Sequence, residues 1–215
     1  MSRSLSSTPS RPSRPSSSRP DDWWRFLCWV DDLGLGLCGD LPGRPAPKRA
    51  QLDDWVAAGV THIVDVRGEA SDEGFVAEWA PGIHYTWLGT HDHGGAQDPE
   101  WFTAGVTAIR RALSQPHAKV VVHCHMGVNR APSMAFAALL DHGYDPVRAL
   151  DAIRSARPIA AVLYAEDAVR WWAGVTGTDA APVRRRVRQW HADHPCDTGW
   201  IISRIRRAEW DDWGD

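Results

Sequence analysis

Val120-Val-Val-His-Cys-His-Met-Gly-Val-Asn-Arg-Ala-Pro-Ser133 is the stretch that decides the fold. Val120, Val121 and Val122 form an unbroken β-branched run, the pattern of a strand covered on both faces. The run ends at Cys124, and Arg130 stands six residues further on. Gly127 between them is free to take backbone angles that a side chain forbids. Pro132 suits the first turn of a helix, where its missing N–H is not needed. Ser133, Met134, Phe136, Leu139 and Leu140 continue a helical pattern. The spacing therefore predicts a strand, a loop curled into a cup, and a helix whose N-terminus seats the cup.

Such a cup suits one kind of guest. Backbone N–H groups of residues 125–130 would turn inward beside the positive end of a helix dipole, and the Arg130 guanidinium can grip two oxygens at once. That is a site for phosphate with a sulfur at its floor. The same field favours thiolate over thiol at Cys124, so a nucleophile faces a bound phosphoryl group.

His123-Cys-His-Met-Gly-Val-Asn-Arg130 resembles the signature loop of the cysteine-dependent protein phosphatases, most of all the dual-specificity branch. Asn129 stands where that branch usually has Ser, and Ala131 where the superfamily usually has Ser or Thr. The resemblance covers roughly residues 23–174. It implies a metal-independent phosphomonoesterase acting on phosphotyrosine, phosphoserine or phosphothreonine of a protein or peptide, through a cysteinyl-phosphate. Cys124 is then the nucleophile and Arg130 the phosphate ligand. His125, Met126, Gly127, Val128 and Asn129 complete the cup. No cofactor is expected, because arginine and amides meet the phosphate's charge. The hydroxyl missing at Ala131 assists breakdown of the thiol-phosphate in the family, so slow turnover is expected unless Ser133 or water substitutes. His123 is expected to hydrogen-bond loop backbone behind the cysteine rather than take its proton, because adjacent strand residues point to opposite faces. His125 is read on the rim, and Asn129 as a brace made through backbone contacts.

The resemblance also calls for an acid on a loop upstream of the cysteine and just ahead of a helix. Gly89-Thr-His-Asp-His-Gly-Gly-Ala-Gln-Asp98 offers two. Asp98 precedes Pro99 and Glu100, with Phe102, Val106, Ile109 and Leu113 following at helical spacing, so it reads as an N-cap. Asp92 has no such structural role and is read as the catalytic acid.

Length and composition allow one full core with tails: 215 residues, 24% charged and 43% hydrophobic. A net charge of −3 gives no overall pull toward nucleic acid or membrane. Four unpatterned cysteines argue against a disulfide framework and for a reducing compartment. No window approaches the roughly 18 apolar residues of a membrane span, and no apolar stretch follows Met1, so a cytoplasmic protein is expected. The sequence carries no signal for an oligomeric state.

Residues 1–20, almost all Ser, Arg and Pro, read as a disordered tail. Residues 21–175 read as the catalytic domain. Strands are expected at Leu35–Cys38, Thr61–Val66 and Ile83–Trp87 besides the one before Cys124. Helices are expected after Lys48, stopped by Gly59, and after Asp98. Two more are expected after Asp145-Pro146, ended by Arg157-Pro158, and around Val162, Val169 and Trp172, closing at Gly174. The fold class is thus α/β, a central, mostly parallel sheet of about five strands flanked by helices. Residues 176–215 read as an extension in which Arg184, Arg185, Arg186 and Arg188 accompany Val183, Val187 and Trp190 on a helical face, with Ile201, Ile202 and Ile205 on a last amphipathic segment. Packing by the apolar face with arginines in solvent is favoured over docking to an anionic partner. Burial is the favoured role of most of the thirteen tryptophans.

Other readings of the same residues are a rhodanese-like sulfurtransferase, which would not need Asp92, and a phosphate-binding module of slow turnover. An RNA 5′-phosphatase is a further alternative: Asn before Arg resembles the superfamily's RNA 5′-triphosphatases, but their Thr-Gly after the arginine is missing. A metal site of His91, His93, His123, Cys124 and His125 is disfavoured, because Cys124 is already used by the loop.

Overall fold

The computed structural model describes residues 20–213, so the tail read as disordered lies, but for Pro20, outside the described residues. A 3-10 turn at Pro20–Arg25 leads into β1 (Cys28–Val30), β2 (Leu35–Cys38), α1 (Pro45–Ala57), β3 (His62–Arg67), α2 (Glu73–Trp79), β4 (His84–Thr90), α3 (Pro99–Leu113) and β5 (Val120–His123). Five helices follow: α4 (Arg130–Asp141), α5 (Pro146–Ala156), α6 (Ala165–Thr176), α7 (Ala180–Asp193) and α8 (Thr198–Trp213).

The strands form one sheet in the order β1-β2-β5-β3-β4, parallel except for β1 against β2. β5 lies in the middle, which explains its continuous apolar run. Val120 and Val122 enter the larger core with Leu35, Leu37, Val64 and Val66. Val121 enters the smaller one, with Leu52 and Trp55 of α1 and Val76 of α2. α4 is buried along its length from Arg130 to Leu140, as a helix apolar on all sides must be.

Local chemistry sets the helix starts. Asp98, Asp145 and Asp179 each accept a hydrogen bond from the first-turn N–H groups of α3, α5 and α7. Each such cap stabilises its helix by about 1 kcal/mol.

The outline departs from expectation in four places. β1 and α2 were not anticipated, because three and seven residues are too short for periodicity to declare itself. α6 begins at Ala165 rather than near Val162, which is fully buried in the preceding loop at φ +52. It runs past Gly174 to Gly177, whose φ of +72 makes the left-handed stop. The extension was expected to pack by its apolar face, and α7 and α8 do so: Val187 and Trp190 lie in the main core, and Ile201 and Ile205 pack with Trp24, Val128 and Ala161. The basic run faces acids of neighbouring helices, with Arg184 and Arg188 on Glu166 and Arg186 on Asp145. Trp24, Trp55, Trp101, Trp171 and Trp190 are buried, whereas Trp79, Trp87, Trp200 and Trp210 are exposed.

Parallel strands deliver their C-terminal ends to one edge, the crevice in which open α/β sheets hold ligands. In register, Cys38 and Asp65 flank His123. The segments after β2, β3 and β4 therefore converge on the loop that follows β5.

Candidate active site

Cys124 follows β5 directly and is 2% exposed. The loop beyond it is turned by its carbonyls. His125 O accepts from Asp40 N at 2.9 Å, and Val128 O from Ala161 N at 2.7 Å. Gly127 O accepts from Arg157 Nε at 2.6 Å, and Met126 O from Arg157 Nη2 at 3.1 Å. Four consecutive carbonyls thus point to partners outside the cup. The chain has no cis peptide among the described residues, and a planar trans peptide sets N–H opposite C=O. The N–H groups of Met126, Gly127, Val128 and Asn129 consequently point inward, above Cys124 and at the N-terminus of α4.

Arg157 was read only as the end of α5. It is 2% exposed and also donates to Trp24 O and Phe26 O, tying the loop to the N-terminal segment. Gly127, at φ +63, packs so close that an added Cβ would overlap this guanidinium and the Cys38 carbonyl. Glycine here serves both the turn and the close approach.

Arg130, 3% exposed, is held by a carboxylate that sequence reasoning missed. Glu69, just beyond β3, accepts from Arg130 Nη1 at 2.7 Å and Nη2 at 2.8 Å, and Thr90 O accepts from Nη1 at 2.8 Å. Burial alone would raise the Glu69 pKa, but these two hydrogen bonds outweigh it and hold the carboxyl below its ordinary range. A guanidinium has five N–H donors, so the pairs leave one on Nη2 and the one on Nε, which is buried without a hydrogen-bond partner among the described residues. Two adjacent donors remain as a fork.

Asp92 lies at this site and Asp98 does not, being the cap of α3. Asp92 Oδ1 accepts from Asn129 Nδ2 at 2.8 Å and from the Tyr164 hydroxyl at 2.6 Å, while Oδ2 stands 3.8 Å from Arg130 Nε. Burial, then the bond to Asp92, raises the Tyr164 pKa. Asn129 was expected to brace the loop through its backbone; its side chain does more. Asn129 Oδ1 accepts from Leu163 N at 2.8 Å and Ser133 Oγ at 3.2 Å, so one amide links the cup, the acid and the loop before α6. Ser133 Oγ also accepts from Tyr164 N at 3.3 Å, and its fully buried hydroxyl is committed there.

The two loop histidines differ. His123 was expected to hydrogen-bond the loop, but neither of its ring nitrogens has a hydrogen-bond partner among the described residues. It packs against Trp55, with Nε2 3.7 Å from Asp65 Oδ1, because strand alternation turns it away from Cys124. Burial pushes its pKa down, toward the neutral form. His125 pairs through Nδ1 with Asp40 Oδ2 at 2.7 Å and through Nε2 with Glu209 of α8 at 3.2 Å. The Asp40 bond first, and Glu209 second, raise its pKa to about 10. His91 and His93 are exposed on the 89–98 loop and do not join His123, Cys124 and His125 in a ligand set. Asp40, His125 and Glu209 converge, but Arg25 already approaches both carboxylates, so they form an ion-paired clasp.

Over the cup opens a cleft of about 370 Å³. Cys124, Arg130, Asp92 and Glu69 line it, and α8 adds Thr198, Ile202 and Arg206. A larger surface groove, about 730 Å³ beside His62 and His84, contains no cysteine.

No family model matches the chain. Dual specificity protein phosphatase 26 of Rattus norvegicus is 31% identical over 105 residues, 47% of this chain and 48% of that protein. Over that stretch the chain is similar to the dual-specificity protein phosphatases. It spans about half the length of the curated relatives it matches. Among solved structures of the fold, human DUSP28 superposes with a TM-score of 0.56 at 20% identity, covering 69% of this chain and 94% of that one. A mouse putative dual specificity phosphatase complexed with zinc tungstate gives 0.60 at 19% identity, covering 76% and 94%. The five-stranded, mostly parallel sheet with flanking helices is thus a dual-specificity phosphatase fold.

Proposed function

We propose that the chain is a metal-independent protein phosphatase that removes phosphate from phosphotyrosine, phosphoserine or phosphothreonine through a cysteinyl-phosphate. The observation that carries this reading is the free fork of Arg130, held by Glu69 beside inward N–H groups and in one cleft with Cys124. The Cys124 thiolate attacks phosphorus, the P–O bond to the leaving group breaks, and its electron pair departs on oxygen. Arg130 and the loop amides spread the charge that builds on the equatorial oxygens. Asp92 Oδ2, the carboxylate oxygen that neither Asn129 nor Tyr164 engages, delivers the proton to the leaving oxygen. Water then attacks the thiol-phosphate with Asp92 taking its proton, the P–S bond breaks, and thiolate and inorganic phosphate are released.

A second reading, phosphate binding with slow turnover, draws on Ala131: the cup is complete, but the hydroxyl that speeds the second step in the family is missing. The four cysteines are free, which fits a reducing, cytoplasmic setting. No described helix is long and apolar enough to cross a membrane.

Hydrolysis of para-nitrophenyl phosphate in the presence of EDTA tests the proposal. Wild type should be active, Cys124→Ser inactive, and Arg130→Lys strongly impaired because an ammonium cannot supply the fork. Activity that survives Cys124→Ser, or that EDTA abolishes, defeats it.

A further inference from the structure

We propose that α8 is the specificity wall of this site, with Arg206 binding a second anionic group, carboxylate or phosphate, beside the scissile phosphate of a tyrosine-phosphorylated peptide. This inference rests on the phosphatase reading and names the substrate that reading leaves open.

Three observations support it. First, α8 carries two stripes of different character. Ile201 and Ile205 are buried against Trp24, Val128 and Ala161, and Glu209 on the next turn pairs with His125. Thr198, Ile202 and Arg206, spaced four apart, form the neighbouring stripe and line the cleft with Cys124. The helix is fixed to the phosphate loop by one face and presents the other to whatever the loop binds.

Second, Arg206 has no ion pair with a described side chain, unlike Arg184, Arg186 and Arg188 on α7. It is exposed, so its desolvation costs little until an anion arrives. Third, the cleft is too large for phosphate alone, and Ile202, Met126, Val128 and Leu163 give it apolar surface suited to an aromatic ring. An alkyl phosphate would leave that surface wet.

A peptide is favoured over a lipid headgroup. Glu69 and Asp92, with half-exposed carboxylates, stand at the cleft, and Arg184, Arg186 and Arg188 of α7 are already ion-paired. The α7 arginines that face Glu166 and Asp145 are therefore not free to meet an anionic membrane surface.

The test uses the full chain and three matched tyrosine-phosphorylated peptides: one with neutral neighbours, one with adjacent glutamates, and one with a second phosphate on a nearby serine. Wild type should prefer the two anionic peptides by about fivefold in kcat/KM. Arg206→Ala should bring that ratio to near one through KM, Arg206→Glu should invert it, and Arg206→Lys should keep most of it. Arg204, one helical turn from Trp200 and stacked over its ring, serves as a control for long-range charge, and Arg204→Ala should keep the ratio. A ratio that survives Arg206→Ala, or a preference for phosphoinositide vesicles over all three peptides, overturns the inference while leaving the phosphatase reading intact. A wild type that hydrolyses neither peptides nor para-nitrophenyl phosphate defeats that reading, and the inference falls with it.

Discussion

Arg157 Nε donates to the carbonyl of Gly127 at 2.6 Å, across thirty residues of sequence, and so turns the next peptide N–H away from itself, to the other side of the loop. A buried cation here shapes the loop that follows Cys124. The same guanidinium satisfies the carbonyls of Met126, Trp24 and Phe26.

Arg157→Ala should therefore cost stability as well as activity. The carbonyls of Met126 and Gly127 would lose the donor that turns them, that of Trp24 would keep only Gly39 N–H, and the loss should be about 3–5 kcal/mol. Urea denaturation measures it. An unchanged midpoint would mean that the loop holds its shape without the guanidinium.

Asp92 is positioned by Asn129 and Tyr164, so loss of either donor should act on proton delivery. Asp92→Asn should slow alkyl phosphates by about 10²–10⁴ and para-nitrophenyl phosphate far less, since a good leaving group needs no acid. Tyr164→Phe and Asn129→Ala should show the same leaving-group dependence at smaller amplitude. Equal losses on both substrates would assign these residues to the loop's shape alone.

Ser133 cannot easily stand in for a hydroxyl at position 131, because its own is buried between Asn129 and Tyr164 N. Rapid-quench kinetics should show a burst of leaving group followed by a slow steady rate. Ala131→Ser should raise the steady rate by about tenfold, the effect of roughly one hydrogen bond in the second transition state. Equal rates for the two steps in wild type would count against this account.

His125 ties α8 to the loop after Cys124 as an imidazolium whose pKa is raised from 6.5 to about 10. A raised folded-state pKa stabilises the fold fully below the unfolded value, here near pH 6.5, and the contribution fades as pH climbs through about 10. Wild type should therefore lose more of its urea midpoint between pH 7 and 10 than His125→Gln does, the two converging at the alkaline end. Parallel curves would show that the clasp with Asp40 and Glu209 does not depend on that charge.

What was legible in the sequence is what local chemistry encodes. The valine run, the glycine turn and Pro132 announce strand, cup and helix within fourteen residues. Asp98-Pro99 announces a cap, which left Asp92 as the acid candidate, and the structure does bring Asp92 beside Arg130. Strand alternation told that His123 faces away from Cys124, but not that its ring would find no hydrogen bond. Only the tertiary structure recruited Glu69, Arg157, Tyr164 and Arg206 to the site. An arginine before a proline looks the same whether it ends a helix or turns the carbonyls of a distant loop. Propensity, capping and periodicity act over a few residues and leave a written pattern. The partners of a loop carbonyl or a guanidinium are chosen by parallel strand register and helix packing, which bring together positions that nothing in the chain's order connects.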